Sequence, residues 1–162
     1  MERAEHWIER LSRGDADRMA ELNALFADVF DDASGYCAAP PDSGYLNELL
    51  GKEDIIVLVA ICADRIVGGL VAYELPKLEQ KRSEIYIYDL AVSAAYRRRG
   101  IAAALIREVQ VIARERGAWV IYVQADYGDE PAIALYSKLG VREDVMHFDI
   151  PVIPIAGNRS ER

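Results

Sequence analysis

The sequence predicts an α/β fold, a single mixed sheet with helices on both faces. Three observations carry this. Apolar, β-branched runs of strand length stand together as a block of three in the middle of the chain. A strand–helix–strand unit follows them. Between and before these runs, apolar residues recur at helical spacing.

Taken in order, residues 5–12 predict a first strand. Gly14 and Asp15 lead into a helix over about 16–30, where Met19, Leu22, Phe26, Val29 and Phe30 share one face. The stretch Asp31–Ser43 holds Gly35, Pro40 and Pro41 and predicts a loop. Asp42 or Ser43 then caps a short helix carrying Tyr45, Leu46, Leu49 and Leu50, stopped by Gly51. Residues 54–62 and 65–74 predict a hairpin turning at Ala63-Asp64, and 83–92 (SEIYIYDLAV) a third strand. A helix is expected over about 100–116, with Ile101, Leu105, Val109, Ile112 and Ala113 as its apolar stripe and Gly117 as its stop. Residues 119–125 predict a strand, 129–139 a short helix with Pro131 in its first turn, and 141–150 (VREDVMHFDI) a last strand. The expected organisation is one domain over 1–150 and a frayed tail over 151–162.

At 162 residues the chain has the size of one ordinary domain, and 52% hydrophobic against 28% charged residues excludes a disordered class. No apolar run reaches the roughly 18 residues of a membrane span, and the N-terminal stretch has no continuous apolar core, so neither a membrane segment nor a secretory signal is expected. Cys37 and Cys62 give no disulfide framework or metal-ligand spacing, and His6 and His147 are too scattered to hold a metal. A reducing cytoplasm fits. With 27 acidic against 19 basic residues the net charge is −8, which argues against nucleic acid and suits a cationic partner.

The strongest local signal is Arg97-Arg98-Arg99-Gly100-Ile101-Ala102, between a strand and a long helix. Gly100 admits close backbone approach, the helix's free N–H groups and dipole attract an anion, and the arginines add charge. Together they suit a pyrophosphate. Neither GxxxxGK[ST] nor GxGxxG is present, so the loop is neither a Walker loop nor a Rossmann fingerprint. Asp89 stands out as a carboxylate inside an otherwise apolar strand, where burial without a partner is costly. Period two puts Glu84 with Tyr86 and Tyr88 and sets Asp89 on the opposite face, unless a bulge rotates it.

The pattern Arg97-x-x-Gly100-x-Ala102 after Leu90-Ala91-Val92 resembles the acetyl-CoA motif of the GNAT N-acetyltransferase superfamily, and Ala134-Leu135-Tyr136-Ser137-Lys138-Leu139-Gly140 resembles its second motif. More narrowly, SEIYIYDLAVS, VIYVQADYGDEPAIALYSKLG and VMHFDI resemble the type I aminoglycoside (gentamicin) 3-N-acetyltransferases over about residues 41–150. The resemblance implies a GNAT-like β-α-α-β-β-β-α-β-α-β order, with 83–92 splayed from 119–125 to bind the pantetheine arm as an added strand. It implies an acetyl-CoA site formed by Leu90, Ala91, Val92, Arg97, Arg98, Arg99, Gly100, Ile101, Ala102 and Tyr136, with no metal. An N–H near Leu90 would meet the thioester oxygen, and Tyr136 would protonate the departing thiolate.

For the base, Asp89 is favoured and Glu84 comes second, with Asp126 also beside the expected cleft. Clustered acids point to a cationic aminoglycoside acceptor: Glu84, Asp89, Asp126, Asp129, Glu130 and Asp149, with Glu143 and Asp144 on the same last strand. A further cluster, Asp28, Asp31 and Asp32, lies at a helix C-terminus, where negative charge opposes the dipole. Tyr36, Tyr45, Tyr86, Tyr88 and Tyr127 offer faces and hydroxyls for sugar rings. The activity that the resemblance implies is aminoglycoside 3-N-acetylation. Two readings stand beside it: transfer to a polyamine, another amino sugar or a protein lysine, and a non-catalytic acyl-CoA-binding domain. A homodimer is admitted, with the apolar PVIPI tail as interface or exchanged strand.

Overall fold

The computed structural model describes residues 5–152. Within them lie two compact units, the first ending at Asp126 and the second beginning at Tyr127. The first unit holds β1 (Trp7–Arg10), α1 (Ala16–Val29), α2 (Ala33–Cys37), α3 (Ser43–Leu50), β2 (Ile55–Cys62), β3 (Arg65–Pro76), β4 (Ser83–Val92), α4 (Ile101–Arg116) and β5 (Ala118–Val123). The second holds α5 (Glu130–Leu139). The fold is a mixed α/β one. The strands lie in the order β1-β2-β3-β4-β5, antiparallel throughout except for the parallel β4–β5 pair.

Hydrophobic alternation explains the layers. Val57, Val59 and Ile61 of β2, Val71 of β3 and Ala91 of β4 form one buried cluster with Met19, Leu22 and Phe26 of α1 and Leu46 and Leu50 of α3. The intervening residues Ile56, Leu58, Leu70, Ile85 and Ile87 are equally buried and face the other way, toward the stripe Ile101, Leu105, Val109 and Ile112 of α4. The β2–β3 turn is made by two non-glycine residues in the left-handed region, Ala63 at φ 48° and Asp64 at φ 60°, which gives it the twist a two-residue hairpin needs. No helix among the described residues is long and apolar enough to cross a membrane.

Two expectations need correction. The stretch read as loop contains α2, because Asp32 accepts a hydrogen bond from Gly35 N–H at 2.9 Å and caps a turn of helix there. That contact also supplies a local reason for an acid after α1. The expected last strand, 141–150, does not form among the described residues: it has no ladder partner, and Val145, Met146, Phe148 and Ile150 are exposed. Alternation says which side chains would share a face, but only a neighbouring backbone makes a strand. The PVIPI tail falls largely outside the described residues.

Packing across the sheet requires Gly69. A methyl group there would lie 2.3 Å from Leu22 Cδ1 and 3.1 Å from the Leu58 carbonyl oxygen. We expect Gly69→Val to destabilise the fold by about 1–3 kcal/mol, read as a lower melting temperature, because α1 must lift off β3 to admit the side chain.

Candidate active site

The site is built where β4 outruns β5. Parallel pairing between them runs from Ser83–Ala118 to Ile87–Val123 and stops, while β4 continues through Tyr88–Val92. On its other edge β4 stays paired to β3, and the register there fixes which way the backbone points. Ser93 N–H donates to the Val67 carbonyl at 2.8 Å, which makes 67–93 a hydrogen-bonded pair. Stepping back along the antiparallel ladder, Ala91 opposite Gly69 also turns its polar groups toward β3, and Leu90 opposite Leu70 turns its N–H and C=O away. The Val92 carbonyl, next in that outward series, accepts from Arg97 Nε at 3.2 Å. Leu90 thus presents its N–H on the edge that β5 has left.

A register shift in the β3–β4 ladder moves Asp89. Val71 pairs with Asp89 and Ala72 with Ile87, so Tyr88 is the extra residue of a bulge. The bulge turns Asp89 onto the face of Tyr86 and Tyr88, the face that the plain alternation denied it. There Tyr36 Oη, from α2, donates to Asp89 Oδ1 at 2.7 Å. Burial pushes the half-buried Asp89 carboxyl above the usual carboxylate range, and the Tyr36 hydrogen bond draws part of that back.

Around Asp89 runs a row of phenol rings across three strands. Tyr73 meets Tyr88 edge-on at 6.0 Å, Tyr88 meets Tyr86 edge-on at 5.7 Å, and Tyr86 stacks on Tyr122 at 4.8 Å. Tyr86 Oη also bonds Gln124 Oε1 at 2.8 Å. Partial burial raises the phenols of Tyr73 and Tyr86, with charge at Asp89 adding to both. Tyr73 and Tyr122 escaped the sequence reading. Counting back from the Ala63-Asp64 turn, and along a parallel register, would have been needed to find them.

Past Val92, the loop leads into α4. Arg98 sits at φ 62° and Gly100, the residue before the helix, at φ 83°. Gly100 has no side chain to cap the helix, and the first intrahelical bond runs from Ala104 N–H to the Gly100 carbonyl, so the N–H groups of Ile101, Ala102 and Ala103 face out of its end. Nothing lies within 4 Å of where a Gly100 Cβ would be, so open space adjoins the turn. Two of the three arginines also have work within the loop: Arg97 holds the Val92 carbonyl, while Arg99 bonds the Ala95 carbonyl at 3.0 Å and lies 5.0 Å over the Tyr96 ring.

The other expected residues have contacts or exposure of their own. Glu84, at the far end of β4 from the open edge, pairs with Lys77 at 3.4 Å. Asp126 is exposed after β5. In the second unit, Asp129 caps α5 by accepting from Ala132 N–H at 3.2 Å, and Glu130 follows it in the first turn. Asp149 pairs with His147 at 2.9 Å, and Asp144 with Arg142 at 2.7 Å. These contacts give several of the clustered acids structural partners. Tyr136, on α5, is half-buried, and its phenol is pushed up to about 12 by burial and then by Asp129. It stays protonated well past neutral pH.

A five-stranded mixed sheet whose parallel pair parts beside a turn and a bare helix N-terminus agrees with the sequence profile of the acetyltransferase (GNAT) family, which matches residues 15–141. The chain belongs to this family. Among solved structures it is similar to an aminoglycoside acetyltransferase from an uncultured soil metagenomic sample, with 52% identity and a TM-score of 0.90 over 92% of this chain and 99% of that one. A second soil metagenomic aminoglycoside acetyltransferase, in complex with sisomicin, is 33% identical with a TM-score of 0.85, over 91% of this chain and 97% of that one. Streptothricin acetyltransferase of Streptomyces lavendulae is 31% identical over 104 residues, 62% of this chain and 53% of that protein. The chain spans about half the length of such sequence relatives.

Because Gly100 lies in the left-handed region with space around it, Gly100→Ala should cost backbone strain and no clash. The expected loss is about 1–2 kcal/mol in thermal or denaturant unfolding.

Proposed function

We propose that the protein acetylates the 3-amino group of the 2-deoxystreptamine ring of aminoglycoside antibiotics, with acetyl-CoA as donor, and so confers resistance. The observation that carries the proposal is the unpaired edge of β4 at Leu90 beside the half-buried Asp89 carboxylate. The two soil acetyltransferases named for aminoglycosides support the acceptor class, as does the net charge of −8. The stretches SEIYIYDLAVS and VMHFDI support the 3-position.

The chain's own groups suit the donor. The outward backbone of Leu90 and its neighbours would bind the pantetheine amides in the manner of an added strand. The N–H groups of Ile101–Ala103, the open turn at Gly100 and the charge of Arg97, Arg98 and Arg99 would bind the pyrophosphate. Asp89 takes a proton from the acceptor ammonium, directly or through a water, which frees the nitrogen lone pair to attack the thioester carbonyl. Leu90 N–H donates to the oxygen as negative charge develops on it. As the C–S bond breaks, Tyr136 gives its proton to the sulfur and recovers one from the newly acylated nitrogen. The net change converts an ammonium and a thioester into an amide, a thiol and one proton. Positioning supplies the rest of the rate enhancement, with no covalent enzyme intermediate.

A second reading, transfer to an amine outside the aminoglycosides, is favoured by the similarity to a streptothricin acetyltransferase. A thiol-release assay over a panel of aminoglycosides, polyamines, streptothricin and peptides separates the two. NMR of the gentamicin product fixes the position. Acetylation at another amine, or turnover with peptides alone, would overturn the proposal. Tyr136→Phe should lower kcat roughly ten- to a thousandfold while CoA affinity, measured by calorimetry, stays the same. A fully active variant would mean that water protonates the thiolate.

A further inference from the structure

Asp89 is held by a single protein group. Its Oδ1 takes the Tyr36 hydrogen bond at 2.7 Å, and Oδ2 has no protein hydrogen bond among the described residues. The titratable groups that face it are Tyr36 from α2, with Asp32 at that helix's start, Tyr73 from β3, with Tyr45 of α3 beyond, and Tyr86 and Tyr88 from its own strand. Among the described residues no lysine, arginine or histidine forms an ion pair with it. A carboxylate half-buried among phenols, with no cation to neutralise it, depends on the one hydroxyl that points at it.

That hydroxyl is itself firmly placed. The Tyr36 ring packs against Phe26 of α1 at 5.8 Å and against Phe30, just past the end of that helix, at 5.9 Å. Its helix is started by Asp32, which accepts from Gly35 N–H, and the turn is tight enough that a Cβ on Gly35 would meet Asp32 Oδ2 at 2.3 Å. So α2, only five residues long, brings one donor to one acceptor across 53 positions of sequence. A lone packing tyrosine would have no need of the carboxylate, and the carboxylate would have no need of a bulge.

We propose that Tyr36 is a positioning residue: it fixes the rotamer of Asp89, occupies Oδ1, and leaves Oδ2 directed at the acceptor amine. This rests on the reading of Asp89 as the proton acceptor. Tyr36 touches neither thioester nor amine in this account and acts through Asp89 alone. Burial raises the Asp89 carboxyl and the hydrogen bond lowers it, so loss of the hydroxyl moves its titration upward and leaves less carboxylate near neutral pH.

The test uses Tyr36→Phe, Asp89→Asn and the double variant of the full chain. Phenylalanine keeps the ring between Phe26 and Phe30, so the melting temperature should hold. In Tyr36→Phe the Asp89 carboxyl, followed by carbon-13 NMR and assigned from its absence in Asp89→Asn, should titrate higher by roughly one pH unit. The acidic limb of kcat/KM should move by the same amount. In the Asp89→Asn background the same change should cost nothing further, the non-additivity expected of a group acting through its neighbour. Tyr36→Leu, which also removes the ring, should lower the melting temperature and still shift the titration equally. An unmoved Asp89 titration, or an equal activity loss with and without Asp89, overturns the role of Tyr36. Asp89→Asn with unchanged turnover and acceptor KM overturns the prior reading of Asp89, whatever the Tyr36 titration shows.

Discussion

Backbone hydrogen bonding is obligatory, and over Tyr88–Val92 β4 leaves one edge without a strand partner among the described residues while its other edge stays bonded to β3. This constraint organises the site. A strand secured on one side and open on the other is a template for a further strand, and the ladder phase set at Val67–Ser93 decides that Leu90 looks into the opening. The turn that follows brings the bare N-terminus of α4 beside the same edge. The end of parallel pairing at Ile87–Val123 leaves a hydrogen-bonding edge, and the turn at Gly100 leaves an anion-attracting helix end.

The bulge at Tyr88 solves a second problem. A carboxylate on the α4 side of the sheet would be buried with Ile85 and Ile87, which are fully buried. The extra residue sends Asp89 to the other face, where Tyr36 reaches it and where Tyr86 and Tyr88 lie. Phenols make that face tolerant of charge without neutralising it. A cationic acceptor would meet ring faces and one carboxylate together, a combination that favours ammonium over neutral ligands.

The sequence made the layers legible because helical and strand periodicities are local. The stripe from Ile101 to Ala113 and the alternation in β2 follow directly from residue spacing. The turn around Gly100 was legible for the same reason. What periodicity hides is pairing. The bulge that turns Asp89 is a property of two strands in register, so the sequence left both orientations of Asp89 open. The contact of Tyr36 with Asp89 spans a helix too short to show a period. The last strand failed for the opposite reason: residues 141–150 have strand composition and no partner among the described residues. Acidic clustering does not separate local from functional roles, since Asp129, Asp32 and Glu84 also have local partners.

The proposed activity requires the Leu90 edge and the start of α4 to bind acetyl-CoA as one surface. Amide hydrogen exchange with and without acetyl-CoA, read residue by residue, tests it. New protection is expected at Leu90 and at Ile101–Ala103, with the β2–β3 hairpin unchanged. Saturating acetyl-CoA that protects neither segment would contradict it.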